Sequence, residues 1–226
     1  VGPGHGIQLD SGRLVVPAYT YYVHRRLCGA VPLPCCTRPH SLVFYSDDGG
    51  RRWHKGALLG GAPTGECQVA EIQRGDGRQP LLYCNCRASR GCRVVAFSAD
   101  RGLRFQRSAP CEALAETLCG CQGSVVSFPA PPAGPGAEPT WLLYSHPTDR
   151  HRRSDLGIYL NPSPLDREGW QHPWVLNLGP SGYSDLSACS GGVFGCLFER
   201  GTTSTCEEIT FCLFTLDTSQ QNLKAS

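Results

Sequence analysis

The octapeptide SDDGGRRW, Ser46 to Trp53, is answered 52 residues later by SADRGLRF, Ser98 to Phe105, and more faintly by LDREGW, Leu165 to Trp170. Each sets an Asp and a Gly ahead of an aromatic residue. A period of about fifty residues carrying short apolar runs predicts radial repetition of four-stranded sheets, one sheet per repeat, as in a β-propeller. A second element follows each turn: ECQVAEI (Glu66 to Ile72), CQGSVVSF (Cys121 to Phe128) and YSDLSAC (Tyr183 to Cys189) each fit an innermost strand. The next strands are PLLYCNCR (Pro80 to Arg87), TWLLYSHP (Thr140 to Pro147) and VFGCLFE (Val193 to Glu199), and third strands fall near CRVVAFS, DLGIYLN and EEITFCLF. Before the first turn, HGIQL, RLVVPAYTYY and SLVFYS supply three more. The chain is thus read as all-β, a single domain over residues 1–226 with about four blades. PAPPAGPGAEP, Pro129 to Pro139, is read as an inserted surface loop.

Spacing brings two reactive side chains into equivalent positions. Glu66 lies 13 residues after Trp53 and Tyr183 lies 13 residues after Trp170. Both therefore fall at the start of an innermost strand, where strand ends surround a central depression. Taken singly, Glu66 reads as a solvated loop acid and Tyr183 as a buried aromatic with a satisfied hydroxyl.

Composition excludes more than it selects. With 21 basic and 19 acidic residues the net charge of +2 gives no field that would make nucleic acid a principal partner. No run of about 18 apolar residues is present, so any membrane association is expected to be peripheral. The sequence contains no Met, so it is read as a processed chain or part of a longer one. Fourteen cysteines admit either a disulfide framework or reduced thiols. Cys84, Cys86, Cys196 and Cys212 sit in apolar strand-like runs, where free cysteine packs as a small hydrophobe. The close pairs Cys35/Cys36, Cys84/Cys86 and Cys119/Cys121 lack the C-x-x-C spacing of structural zinc, so no metal ligand is expected.

The combination of VGPGHGIQ, RLVVPAYTYY, the two S-x-D-x-G-x-x-[WF] Asp boxes, GECQVAEI, GCQGSVVSF, WLLYSHPT, RSDLGIYLN, GYSDL and FGCLFE resembles the animal exo-sialidases of the ganglioside-cleaving type. The resemblance covers nearly the whole chain and implies a six-bladed propeller, of which about four blades are represented. Both boxes depart from the family pattern, with Arg52 and Arg104 where Thr is usual. Sialic acid bears a carboxylate on its anomeric carbon, which would repel a carboxylate nucleophile, and sialidases use tyrosine instead. The resemblance implies Tyr183 as nucleophile, Glu66 as its base, and Arg87 and Arg153 as two of three arginines that clamp the substrate carboxylate. It also implies Tyr19 and Tyr21 as pocket-lining residues, with core packing as their competing explanation. Arg152 is the neighbour with which Arg153 could be confused.

The third arginine and the acid aspartate are implied in segments preceding Val1, and activity of this chain alone is doubtful on that reading. Asp10, Asp47, Asp48, Asp100 and Asp185 read as turn or strand-end residues. The implied reaction is retaining hydrolysis of terminal sialic acid from gangliosides and other sialylated glycolipids and glycoproteins, without cofactor or metal. The implied location is the plasma-membrane surface and cytoplasm, with endosomes or lysosomes. The apolar loop Leu27 to Pro34 is a speculative lipid or aglycone contact. Two alternatives stay open: a non-catalytic sialoglycan-binding propeller, which would not require Glu66, and a disulfide-rich adhesion domain, which would require paired cysteines.

Overall fold

Along PLLYCNCR successive side chains point to opposite faces of the strand, and here both faces are buried: Leu82, Cys84 and Cys86 enter one apolar cluster and Tyr83 another. That two-sided alternation is what stacks one sheet on the next. The computed structural model describes residues 1–23, 37–89, 91–106, 108–132, 139–217 and 222–225. Leu27 to Pro34 lies outside the described residues.

Among the described residues four meandering blades succeed one another. The first holds β1 (Ile7–Gln8), β2 (Leu14–Val23), β3 (Thr37–Ser46) and β4 (His54–Lys55); the second holds β5 (Thr64–Ile72), β6 (Leu81–Ala88), β7 (Cys92–Ser98) and β8 (Ala109–Ala115). The third starts with β9 (Ser124–Pro129), β10 (Thr140–Pro147) and β11 (Ser154–Asn161), and the fourth ends with β13 (Val193–Arg200), β14 (Glu208–Asp217) and β15 (Asn222–Ala225). A single long strand, β12 (Trp174–Ala188), serves both. Its first half pairs with β11 and its second with β13, with a register shift between Ser181 and Ser184. The last two blades are therefore one continuous sheet, a junction that the expected separate inner strand did not anticipate. Pro129 and Thr140 face each other across the β9–β10 hairpin, so the proline-rich insertion is its tip.

Apolar clusters join consecutive blades. Leu9, Val15 and Val43 meet Cys67, Val69 and Leu82 between the first and second. Ala70, Ile72, Tyr83 and Val95 meet Val125, Leu142, Tyr144 and Trp170 between the second and third. Val126, Leu143, Leu156 and Ile158 meet Leu186, Phe194, Phe198 and Phe214 between the third and fourth. On the far side of the fourth blade Leu197, Ile209, Phe211 and Leu213 carry the same apolar pattern and are exposed.

The Asp boxes close the turns that end β3 and β7. Ser46 Oγ donates to Asp48 Oδ1 and accepts from Gly50 N–H, while Arg52 N–H donates to Asp48 Oδ1. Ser98, Gly102, Asp100 and Arg104 repeat the same bonds. Since position 52 or 104 contributes only its backbone N–H to this pattern, arginine serves where threonine is usual.

Between the second and third blades lies a charged group sealed from solvent. Arg93, Glu116 and His146 have no exposed side-chain surface. Arg93 donates to Glu116 Oε1 at 2.7 Å, to Asn85 Oδ1 at 2.7 Å and to Cys121 O at 2.7 Å, and lies over the Tyr144 ring. Glu116 accepts from Ala88 N–H and Cys121 N–H, and His146 Nε2 lies 3.2 Å from its Oε2. Both backbone groups of Cys121 are thus held by one buried ion pair. Burial opposes ionisation of Glu116, but the Arg93 charge, His146 and the backbone donors outweigh it and hold the carboxyl at about 2.

A carboxyl depressed from its ordinary 4.5 stabilises the fold above that pH and loses its contribution as pH falls toward 2. Replacing it leaves Arg93 buried without its counter-charge, which costs about 3–5 kcal/mol in comparable cases. Glu116→Gln is therefore expected to lower stability at pH 7 by that order and to flatten the acid limb between pH about 4.5 and 2. Denaturant unfolding across that range checks both effects.

Candidate active site

Glu66 is the third residue of β5 and Tyr183 lies in the second half of β12, two blades away, yet their side chains meet: Tyr183 Oη donates to Glu66 Oε1 at 2.5 Å. The structure brings together the two residues that spacing placed at equivalent positions. Glu66 is 8% exposed, so its carboxylate needs partners, and Arg87, at the end of β6, supplies one: Nη1 donates to Glu66 Oε2 at 2.7 Å and reaches Tyr183 Oη at 3.3 Å. Arg87 is no free surface cation. Arg153 sets its guanidinium over the Tyr183 ring, 5.3 Å from the centroid. Arg152 instead pairs with Asp149 in the exposed turn, so of the two neighbours only Arg153 lies against Tyr183.

Burial pushes the Tyr183 phenol up to about 12, and the hydrogen bond to Glu66 adds to the shift; Arg87 and Arg153 oppose it. The phenol is therefore neutral at physiological pH and its proton points at a carboxylate. One anion and two cations surround it.

Sequence reasoning did not single out what holds these side chains. Cys119 O accepts from Arg87 Nη2 at 2.7 Å and Gly120 O accepts from Arg153 Nη2 at 3.1 Å. Two successive carbonyls thus orient two guanidinium groups, in the segment anchored by the buried Arg93–Glu116 pair. Gly120 has φ +69°, and a Cβ there would lie 2.8 Å from Arg87 Nε and 3.0 Å from Ala88 O. Only glycine suits both the backbone and the approach. Glu199 Oε2 accepts from Tyr183 N–H at 2.9 Å, and Gln122 bonds both Ser184 N–H and Ser184 O. A Cβ at Gly182 would fall 2.3 Å from Glu199 Oε2, so that glycine admits the carboxylate. Glu199 and Gln122 do lie within FGCLFE and GCQGSVVSF, but their partners are backbone groups that no side-chain pattern reveals.

Two hollows flank the trio. Tyr19, Tyr21, Pro39, Glu66, Arg87 and Cys119 line one; Gly4, Gln122, Tyr183, Glu199 and Ile209 are among those lining the other. Tyr21 is 65% exposed and Tyr19 half-buried, edge-on to each other, so Tyr21 is not a core residue. The candidate aspartates are engaged elsewhere: Asp10 with Gln73, Asp47 with Arg13, and Asp48 and Asp100 in the box turns. Asp185, expected at a turn or strand end, instead lies within β12 and bonds His5 and Ser124, because the inner strands need polar ties where they converge. Cysteines in the described residues are free thiols, which removes the disulfide-framework alternative for them.

A family model described as BNR repeat-like domain matches residues 1–196. The sequence is 50% identical over 245 residues to Sialidase-3 of Homo sapiens, covering 95% of this chain and 57% of that protein. It is 39% identical to human Sialidase-4, covering 100% of this chain and 64% of that protein. The chain thus spans a little over half the length of the curated relatives it matches. Among solved structures, the Hadza microbial sialidase Hz136 is 28% identical with a TM-score of 0.69, over 94% of this chain and 37% of that one. The intramolecular trans-sialidase of Ruminococcus gnavus shares the fold at 23% identity and a TM-score of 0.70, over 96% of this chain and 44% of that one. The four blades are part of a sialidase-type β-propeller, similar over nearly their whole length to animal sialidases, and the chain belongs to the BNR repeat-like family.

Proposed function

We propose that the protein to which these blades belong is a retaining exo-α-sialidase that releases terminal sialic acid from gangliosides, with other sialoglycoconjugates as further substrates. The 2.5 Å bond from the Tyr183 phenol to Glu66 carries this reading. A glycan-binding protein gains nothing from a carboxylate aimed at a phenol proton. As the anomeric carbon approaches, Tyr183 Oη attacks it while Glu66 takes the proton, so that a free phenolate never has to form in the ground state. Arg87 and Arg153 meet the substrate carboxylate as planar, permanently charged forks. Tyr19 and Tyr21 border the glycerol side chain or the aglycone. The third arginine and the acid that protonates the leaving oxygen are assigned to sequence outside this chain. Water then attacks the tyrosyl intermediate: the conjugate base of that acid takes the water's proton, the bond to Tyr183 Oη breaks, and Glu66 returns its proton to the phenol oxygen. No step needs a metal or a cofactor.

The same reading makes the protein a peripheral one, at the plasma membrane and in the cytoplasm, with endosomes or lysosomes as further sites. Among the described residues no helix is long and apolar enough to cross a membrane.

In the full-length protein, Glu66→Gln is expected to lower kcat on an aryl sialoside by about 10²–10⁴. A fluorinated sialic acid that traps the intermediate should label the peptide containing Tyr183, detected by mass, and leave Tyr183→Phe unlabelled. Label on another residue, or activity unchanged in both variants, would refute the assignment. Gly120→Ala, which crowds Arg87 and strains the backbone, is expected to raise KM for the sialoside about tenfold and to cost about 1–2 kcal/mol of stability, seen as a lowered melting temperature. Steady-state kinetics beside a melting curve separates clamp displacement from unfolding.

A further inference from the structure

In the β5–β6 ladder Cys67 stands directly opposite Cys86, and Cys84 lies one pleat further along β6, on the same face. The three Sγ atoms lie within 4.8 Å of one another, with Cys84 Sγ 3.5 Å from Cys86 Sγ. None of the three is more than 1% exposed, and all are free thiols. They meet in the apolar layer between the first two blades, where Cys67 Sγ also donates to the carbonyls of Ala18, at 3.3 Å, and Leu42, at 3.8 Å. The C-x-x-C criterion misses this cluster because its third member comes from a neighbouring strand.

Three converging sulfurs select a soft ion. Structural zinc requires four ligands, and among the described residues no further His, Cys, Asp or Glu joins this group. Charge narrows the choice again. A buried complex with net charge costs several kcal/mol when no counter-ion accompanies it. Trivalent arsenic bound to three thiolates is neutral. In forming it, As(OH)3 loses three As–O bonds and gains three As–S bonds, and the three thiol protons leave with the hydroxides as three waters. No electron is transferred and no net proton is released.

We infer that Cys67, Cys84 and Cys86 form a three-sulfur binding site for a thiophilic trivalent ion of the arsenite class. Occupancy would tie together the residues that immediately follow Glu66 and precede Arg87.

The test is native mass spectrometry of the protein titrated with arsenite. The background carries Ser in place of Cys28, Cys35, Cys36, Cys119, Cys189 and Cys206, which leaves the cluster intact. The expected product is one adduct of one arsenic less three hydrogens per chain, the signature of three thiolates. Cys84→Ala and Cys86→Ala should each abolish that adduct and weaken arsenic binding at least tenfold, whereas Cys196→Ala should not. Cys84→Val, which keeps the bulk, decides the matter if Cys84→Ala no longer melts cooperatively. Absence of the adduct in the background, or its survival in the Cys84 and Cys86 variants, overturns the assignment. Neither outcome depends on hydrolase activity.

Discussion

The grip of the buried Arg93–Glu116 pair on Cys121 is the constraint from which the site follows. An ion pair with no exposed surface is a poor source of net stability, because desolvating both charges offsets most of their attraction. It is a strict source of geometry, because any displacement leaves a buried charge unpaired. Here the geometry is passed along the chain. Arg93 holds Cys121 O and Glu116 holds Cys121 N–H, so the preceding carbonyls of Gly120 and Cys119 point where Arg153 and Arg87 require acceptors. Arg87 then bridges to Glu66 and Tyr183. The chain of contacts runs from a sealed interblade layer to a solvent-lined hollow without passing through a flexible side chain at its base.

Much of the fold was legible because a propeller writes its period into the turns. The boxes at Ser46 and Ser98 predict a hairpin by their own hydrogen bonds: the Asp carboxylate and Ser hydroxyl need their partners two to four residues on, and that need fixes the spacing. Apolar runs with both faces buried reported sheets stacked on both sides. The sharing of β12 between two blades was not legible. Its course from Trp174 to Ala188 includes Gly179, Pro180 and Gly182, residue types that ordinarily interrupt strands, and the structure keeps the strand running through them with a register shift. Pairing on both sides, a tertiary matter, overrides the local punctuation.

The candidate site divides in the same way. Glu66 and Tyr183 were found by spacing, because equivalent positions on different blades converge on one axis. Tyr19 and Tyr21 alternate with Thr20 along β2, so both were known to share a face, but whether that face met core or pocket depended on neighbouring chain, and exposure of Tyr21 answers it. Arg152 and Arg153 are chemically identical in sequence, and only the turn at Asp149 sorts them. Gln122, Glu199 and Gly120 act through backbone groups or through missing bulk, for which a sequence carries no side-chain signature.

The balance of charge around Tyr183 bears on how such a tyrosine can react. A phenol pushed up to about 12 is a weak nucleophile at rest, and a lower value would leave a phenolate facing the Glu66 carboxylate at hydrogen-bond distance. Keeping the proton on oxygen avoids that repulsion, and the 2.5 Å contact gives the proton a short path once bond formation begins. The two guanidinium groups beside Tyr183 supply permanent positive charge, which on the proposed reading meets the substrate carboxylate. Arrival of the substrate carboxylate then draws on the same arginines that neutralise Glu66, and leaves Glu66 a better proton acceptor. On the proposed reading, binding and activation are one electrostatic event, in which the ligand that needs the clamp also frees the base.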